Sequence, residues 1–120
     1  IIRNVTKEGI EELKKINQIF SSEASEETYI HAEVEFHRGF MKLSKNPLIV
    51  ELYTIVLKFM QISASYLLAS QSIREEAFLA HNKIIEALEQ KNVEKCIKAI
   101  EKHLDIACNN LRIYFAEHES

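Results

Sequence analysis

The chain alternates amphipathic runs with short polar breaks, and each run repeats its apolar residues at the three-to-four spacing of a helix. Ile10, Leu13, Ile16, Ile19 and Phe20 follow Thr6, whose hydroxyl suits a helix N-cap, and the run ends in the polar segment Ser21 to Ser25. A second run, from about Glu26 to Leu43, is stopped by Ser44-Lys45-Asn46, after which Pro47 suits the first turn of a third helix. That third run, to about Ala69, is apolar on most sides and is expected to be the central, most buried helix. Ser70-Gln71-Ser72 supplies a break and a cap for a fourth helix to about Gln90, and Asn92 caps a fifth over Val93 to Glu117.

Composition narrows this to one architecture. A chain of 120 residues, 47% hydrophobic, builds a single core, so residues 1–120 are expected to form one domain. Two glycines, one proline and no tryptophan leave too little turn chemistry for many short strands, and the expectation is an all-α, antiparallel bundle of about five helices. Fifteen basic and eighteen acidic residues are interspersed without a basic block, which argues against nucleic-acid binding by these residues themselves. Lys, Glu or Gln interrupt the apolar stretches before about 18 residues, so no membrane span and no membrane partner is expected. No signal-peptide pattern is present either. Cys96 and Cys108 lie roughly 18 Å apart along one helix, beyond disulfide reach, and read as reduced core thiols of a cytoplasmic protein. The opening Ile1-Ile2, in place of an initiator Met, reads as a piece of a longer protein.

The candidate chemistry comes from polar residues on the wrong face. At about 100° per residue, Glu33 and His37 in HAEVEFHRGF fall within the apolar arc of Tyr29, Ile30, Val34, Phe36, Phe40, Met41 and Leu43. His31, Glu35, Arg38 and Lys42 form the opposite, solvated face. On the fourth helix His81 falls among Ile73, Ala77, Phe78, Ile84, Ile85 and Leu88, and Arg74 shares that face two turns earlier. His103 lies at the margin of the last apolar arc, with Asn110 one heptad on. His81 and His103 stand eleven residues either side of Asn92, so an antiparallel hairpin brings them level, and Glu33 and His37 reach the same layer from the turn near Lys45.

One carboxylate and three imidazoles make a donor set for a divalent transition metal, zinc or nickel foremost, with iron, cobalt or manganese also suited and calcium or magnesium disfavoured. The competing reading is structural: core histidines that hydrogen-bond, and a glutamate that snorkels to water. A di-iron oxidase bundle needs two Glu-x-x-His pairs and two further Glu, whereas this chain offers one Glu-x-x-x-His. No separate general base or nucleophile stands near the four groups, so a mononuclear hydrolase is also disfavoured.

EVEFHRGFMKLSKNPLI resembles the D-x-x-F-H-x-x-L…S-x-N-x-x-L signature of the FadR-type C-terminal (FCD) ligand-sensing domain of GntR-family transcription regulators. AHNKIIEALEQKNVEKCIKAIEKHL is similar to that domain's E-H-x-x-I-x-x-A-I…G-D…A…H-L segment, and the resemblance covers about residues 6 to 112. It implies a non-enzymatic sensor in which an Asp and three His hold a divalent metal inside the bundle. Those positions are Glu33, His37, His81 and His103 here, Glu33 being one methylene longer than the family's Asp. Ala80 also replaces the family's Glu before the second His. The resemblance further implies a small organic acid as effector, with Arg74 and Asn110 as candidate ligand contacts, and a homodimer. It implies DNA contact only through an N-terminal winged helix-turn-helix, which is expected to lie outside residues 1–120, as is the sensor's first helix.

Overall fold

The computed structural model describes residues 5–118, so the Ile1-Ile2 opening lies outside it. Five α-helices and no strand are present among the described residues: α1 (Lys7–Gln18), α2 (Glu26–Ser44), α3 (Pro47–Leu67), α4 (Gln71–Glu89) and α5 (Val93–Glu117). The all-α bundle is the architecture the periodicity predicts, and a 3₁₀ turn, Ile19–Ser21, closes α1.

The boundaries follow from capping. Thr6, Ser25, Asn46, Ser70 and Asn92 each adopt an extended backbone and accept a hydrogen bond from a free amide in the first turn of their helix. Lys45 and Lys91 follow α2 and α4 in the left-handed region, at φ 45° and 54°, where glycine is the usual helix terminator. After Lys91 the chain reverses tightly: the Lys91 and Asn92 amides donate to Leu88 and Ala87 carbonyls.

α2–α3 and α4–α5 pack as hairpins, α1 lies against α2 and α4, and α3 also meets α5. Phe36, Phe40, Ile49, Tyr53, Val56, Met60, Ile84, Leu88 and Ile100 form the main core. Phe20, Tyr29, Ala32, Ala64 and Leu68 form a smaller cluster where α1 ends. Burial of these large side chains is the main stabilising term, at about 1.5–3 kcal/mol for each fully buried one.

Three expectations need correction. α3 is not buried all round: Ile49, Tyr53, Val56, Met60 and Leu67 face the core, but Leu48, Ile55 and Ile62 are 57%, 74% and 61% exposed. Apolar composition alone does not say which flank of a helix meets a neighbour. By length and composition α3 does pass for a membrane span, contrary to the argument from interrupting residues; a core helix passes the same test, and α3 buries one face against α2 and α5. Cys96 and Cys108 are both free, but only Cys96 is a core thiol, and burial pushes it up to about 11. Cys108 is exposed because it lies on the flank of α5 away from the buried line Cys96, Ile100, His103 and Ala107.

Candidate metal centre

Glu33 and His37 are one turn apart on α2, which sets their side chains on one face, and both are buried in the bundle. α4 brings His81 and α5 brings His103 to the same layer, with the two imidazole centroids 4.8 Å apart. The Oε1 atom of Glu33 is 2.7 Å from His37 Nε2, 3.3 Å from His103 Nε2 and 3.4 Å from His81 Nε2. Three imidazole nitrogens thus surround one carboxylate oxygen. The Glu33 side chain brings Oε1 among the three imidazoles, and its Oε2 makes no hydrogen bond.

His81 is held in one tautomer from outside this group. The Asn17 side-chain amide on α1 donates to the Phe78 carbonyl at 3.0 Å and to Asn82 Oδ1 at 2.9 Å, so its own Oδ1 faces His81 Nδ1 at 2.9 Å. An acceptor at that position requires the proton on Nδ1 and leaves the Nε2 lone pair directed at the centre. Phe36 stacks on the His81 ring at 4.0 Å and fixes its plane.

The electrostatics follow from burial and mutual contact. Burial works to raise the Glu33 carboxyl, but His81 and His37 beside it, with hydrogen bonds from His103 and His37, outweigh burial and hold it well below its ordinary value. Burial pushes His81 down to about 4 and also lowers His37, in both cases against the attraction of Glu33. An ionised carboxylate beside the neutral imidazoles of His37 and His81 is the protonation state in which these groups bind metals.

The donor chemistry fits a divalent transition ion. One ligand atom from each of the four residues lies within 4.8 Å of the others, and donors bonded to a common ion at about 2.0–2.1 Å stand roughly 3 Å apart. Glu33 Oε2 and His81 Nε2 are buried without a hydrogen-bond partner, a costly arrangement that coordination would relieve.

The two remaining sequence candidates separate. Asn110 lines a cavity of about 40 Å³ between α3, α4 and α5, with Glu33, Ser63, Glu76 and His103 also in its wall. Arg74 does not line it. Its guanidinium donates to the Leu68 and Ala69 carbonyls at 2.9 and 3.0 Å, closing the end of α3, and lies 4.4 Å from the Tyr29 ring centroid. A helical wheel places Arg74 on the His81 face but says nothing of the α3 terminus beside it.

Periodicity overlooks Asn17, although its signal is present: it falls inside the apolar stripe of Ile10, Leu13 and Phe20 and is buried with them. Tyr53 is also missed. Its hydroxyl is buried without a partner and its ring lies 5.2 Å from that of His37. Burial, then Glu33 and Cys96, push that hydroxyl's pKa well up.

Fold and site together define an all-helical bundle closed around a buried carboxylate and three imidazoles. The family model described as FCD domain matches residues 1–106, and the chain belongs to that family, the ligand-sensing regulatory domain of GntR-type regulators. No curated protein and no solved structure matches the chain.

Proposed function

We propose that this chain is the effector-sensing and dimerising part of a cytoplasmic GntR-type transcription regulator, with Glu33, His37, His81 and His103 holding a divalent transition metal, zinc or nickel foremost. The observation that carries the reading is the convergence of three Nε2 atoms on the Glu33 carboxylate. A bound ion supplies a Lewis-acidic position for a carboxylate ligand. The effector is then a small organic acid that enters beside Glu33 and His103, with Asn110 as a hydrogen-bonding contact from the cavity wall. A groove between α4 and α5 also reaches His103 and carries Lys83 and Lys102, which favour the approach of an anion.

The cavity volume of about 40 Å³ holds only a few waters. An acid of several carbons therefore enters only as α3, α4 and α5 part. That repacking is the conformational signal, and binding shifts the helices toward the parted state. Asn17 gives α1 a direct connection to His81, so a displacement of the centre is felt on the first described helix. DNA contact is assigned to an N-terminal winged helix-turn-helix attached to this domain in the full regulator.

A thermal-shift screen of small organic acids on the zinc-loaded domain tests the effector. The expected result is an acid that stabilises the wild type and leaves His81→Ala unmoved; a screen in which every acid shifts both proteins equally removes the proposal. Asn17→Ala is expected to weaken zinc affinity about 10- to 100-fold, the usual effect of losing a residue that orients a metal-binding histidine. It is also expected to cost about 1–3 kcal/mol of stability by leaving His81 Nδ1 unpaired. Chelator competition measures the first effect and urea unfolding the second; an unchanged zinc affinity would mean that Asn17 does not orient the imidazole.

A further inference from the structure

Leu48, Leu52, Ile55, Phe59, Ile62 and Tyr66 recur along α3 at alternating steps of four and three, the heptad spacing of a helix–helix seam. The adjacent line, Ile49, Tyr53, Val56, Met60, Ser63 and Leu67, has the same spacing one residue on and is buried in the bundle. α3 therefore carries two seams, and its outer one is exposed at Leu48, Ile55, Ile62 and Tyr66. Leu52 and Phe59 are half-buried because they also pack against the core. The Tyr66 ring meets Tyr114 and Phe115 of α5 at 5.4 and 5.0 Å, which broadens the apolar strip at that end. Single exposed leucines are ordinary on a protein surface. A heptad line of apolar residues along the whole of a helix is the mark of a partner helix.

We propose that the outer seam of α3 is the interface between two copies of this chain, packed antiparallel about a two-fold axis at Ile55. The proposal rests on the homodimer reading above and adds where the second copy sits. Self-complementarity selects this occupant. With the axis at Ile55, Leu48 comes level with Ile62 of the second copy, and Leu52 comes within one residue, about 1.5 Å of rise, of its Phe59. Glu51 comes within one residue, about 1.5 Å of rise, of Lys58 of the second copy, within reach of an ion pair, and symmetry repeats the pairing. Glu51 and Lys58 are exposed, flank the seam on one side, and form no ion pair among the described residues. A parallel arrangement would instead bring like charges level. α3, with 21 residues, is about 30 Å long, so the seam offers three heptads of contact.

Light scattering and sedimentation equilibrium on the purified chain are expected to give a dimer that Ile55→Glu weakens by about 100-fold or more, as a central apolar contact does. Because Ile55 is 74% exposed, this change is expected to leave the circular dichroism and zinc binding of the domain unaltered. That separates a lost interface from unfolding and from failure of the metal reading. Glu51→Lys and Lys58→Glu are each expected to weaken the dimer, and the double variant to recover it. A monomeric wild type overturns the proposal, as does an Ile55→Glu variant that dimerises as tightly as wild type. A double variant no tighter than the single ones overturns the antiparallel arrangement, and a monomeric wild type that binds phospholipid vesicles would assign the seam to a lipid surface instead.

Discussion

One equivalent of zinc, added to metal-free protein, is expected to raise the thermal midpoint of the wild-type domain by about 10 °C and that of His103→Ala hardly at all. A ligand at about 100 times its dissociation constant stabilises the folded state by about 2.7 kcal/mol, and each kcal/mol moves the midpoint of a domain of this size by roughly 4 °C. The size of the effect comes from the pre-assembled donors: three Nε2 atoms already lie 2.7 to 3.4 Å from Glu33 Oε1, so little conformational freedom remains to be lost on binding. His103 is the informative residue to truncate because it borders the cavity, so its loss enlarges an existing space. Calorimetric scans with zinc and then nickel measure the effect. No shift with either ion in the wild type, or an equal shift in His103→Ala, would leave the four residues as a purely hydrogen-bonded core cluster.

The second large effect is on acid stability. His81 is held at about 4 in the folded protein against an ordinary value of 6.5, so between these values the unfolded chain binds a proton that the folded chain refuses. Stability therefore falls as pH drops from about 6.5 to 4, by on the order of 3 kcal/mol from His81 alone. His37, also lowered, acts in the same direction. Glu33 reinforces it further down: its carboxyl lies well below 4.5 in the folded state, so the stability it contributes is lost as pH falls below that value. Urea unfolding of the metal-free protein at pH 7 and pH 4.5 measures the sum. A midpoint independent of pH over this interval would contradict the burial of neutral imidazoles, and His81→Asn is expected to flatten the dependence.

Much of the architecture was readable before any coordinate. Thr6, Asn46-Pro47, Ser70 and Asn92 are breaks that act through a few neighbouring backbone amides, so local sequence suffices to place them. The inward aim of Glu33, His37 and His81 was readable for a similar reason, since the helical period assigns a face once the apolar arc is known. His81 and His103 came level because the α4–α5 connection is short and its centre, near Asn92, is marked. What failed were statements about neighbours across space. Arg74 turned to the α3 terminus, Cys108 lay on an open flank, and Leu48, Ile55 and Ile62 of α3 stayed exposed among the described residues.

Asn17 shows where the division falls. Its place in the apolar stripe of α1 is a property of the sequence, but its contact with His81, 64 residues away, exists only because α1 lies against α4. By itself the sequence determined five capped helices, the inward aim of Glu33, His37 and His81, and a carboxylate and three imidazoles at one level of the bundle, all consequences of period and capping. Only the tertiary structure decided that three Nε2 atoms meet at one Glu33 oxygen and that α3 keeps an outer seam. Separations near 3 Å depend on side-chain rotamers and on how helices distant in sequence approach one another, and a local periodicity carries neither.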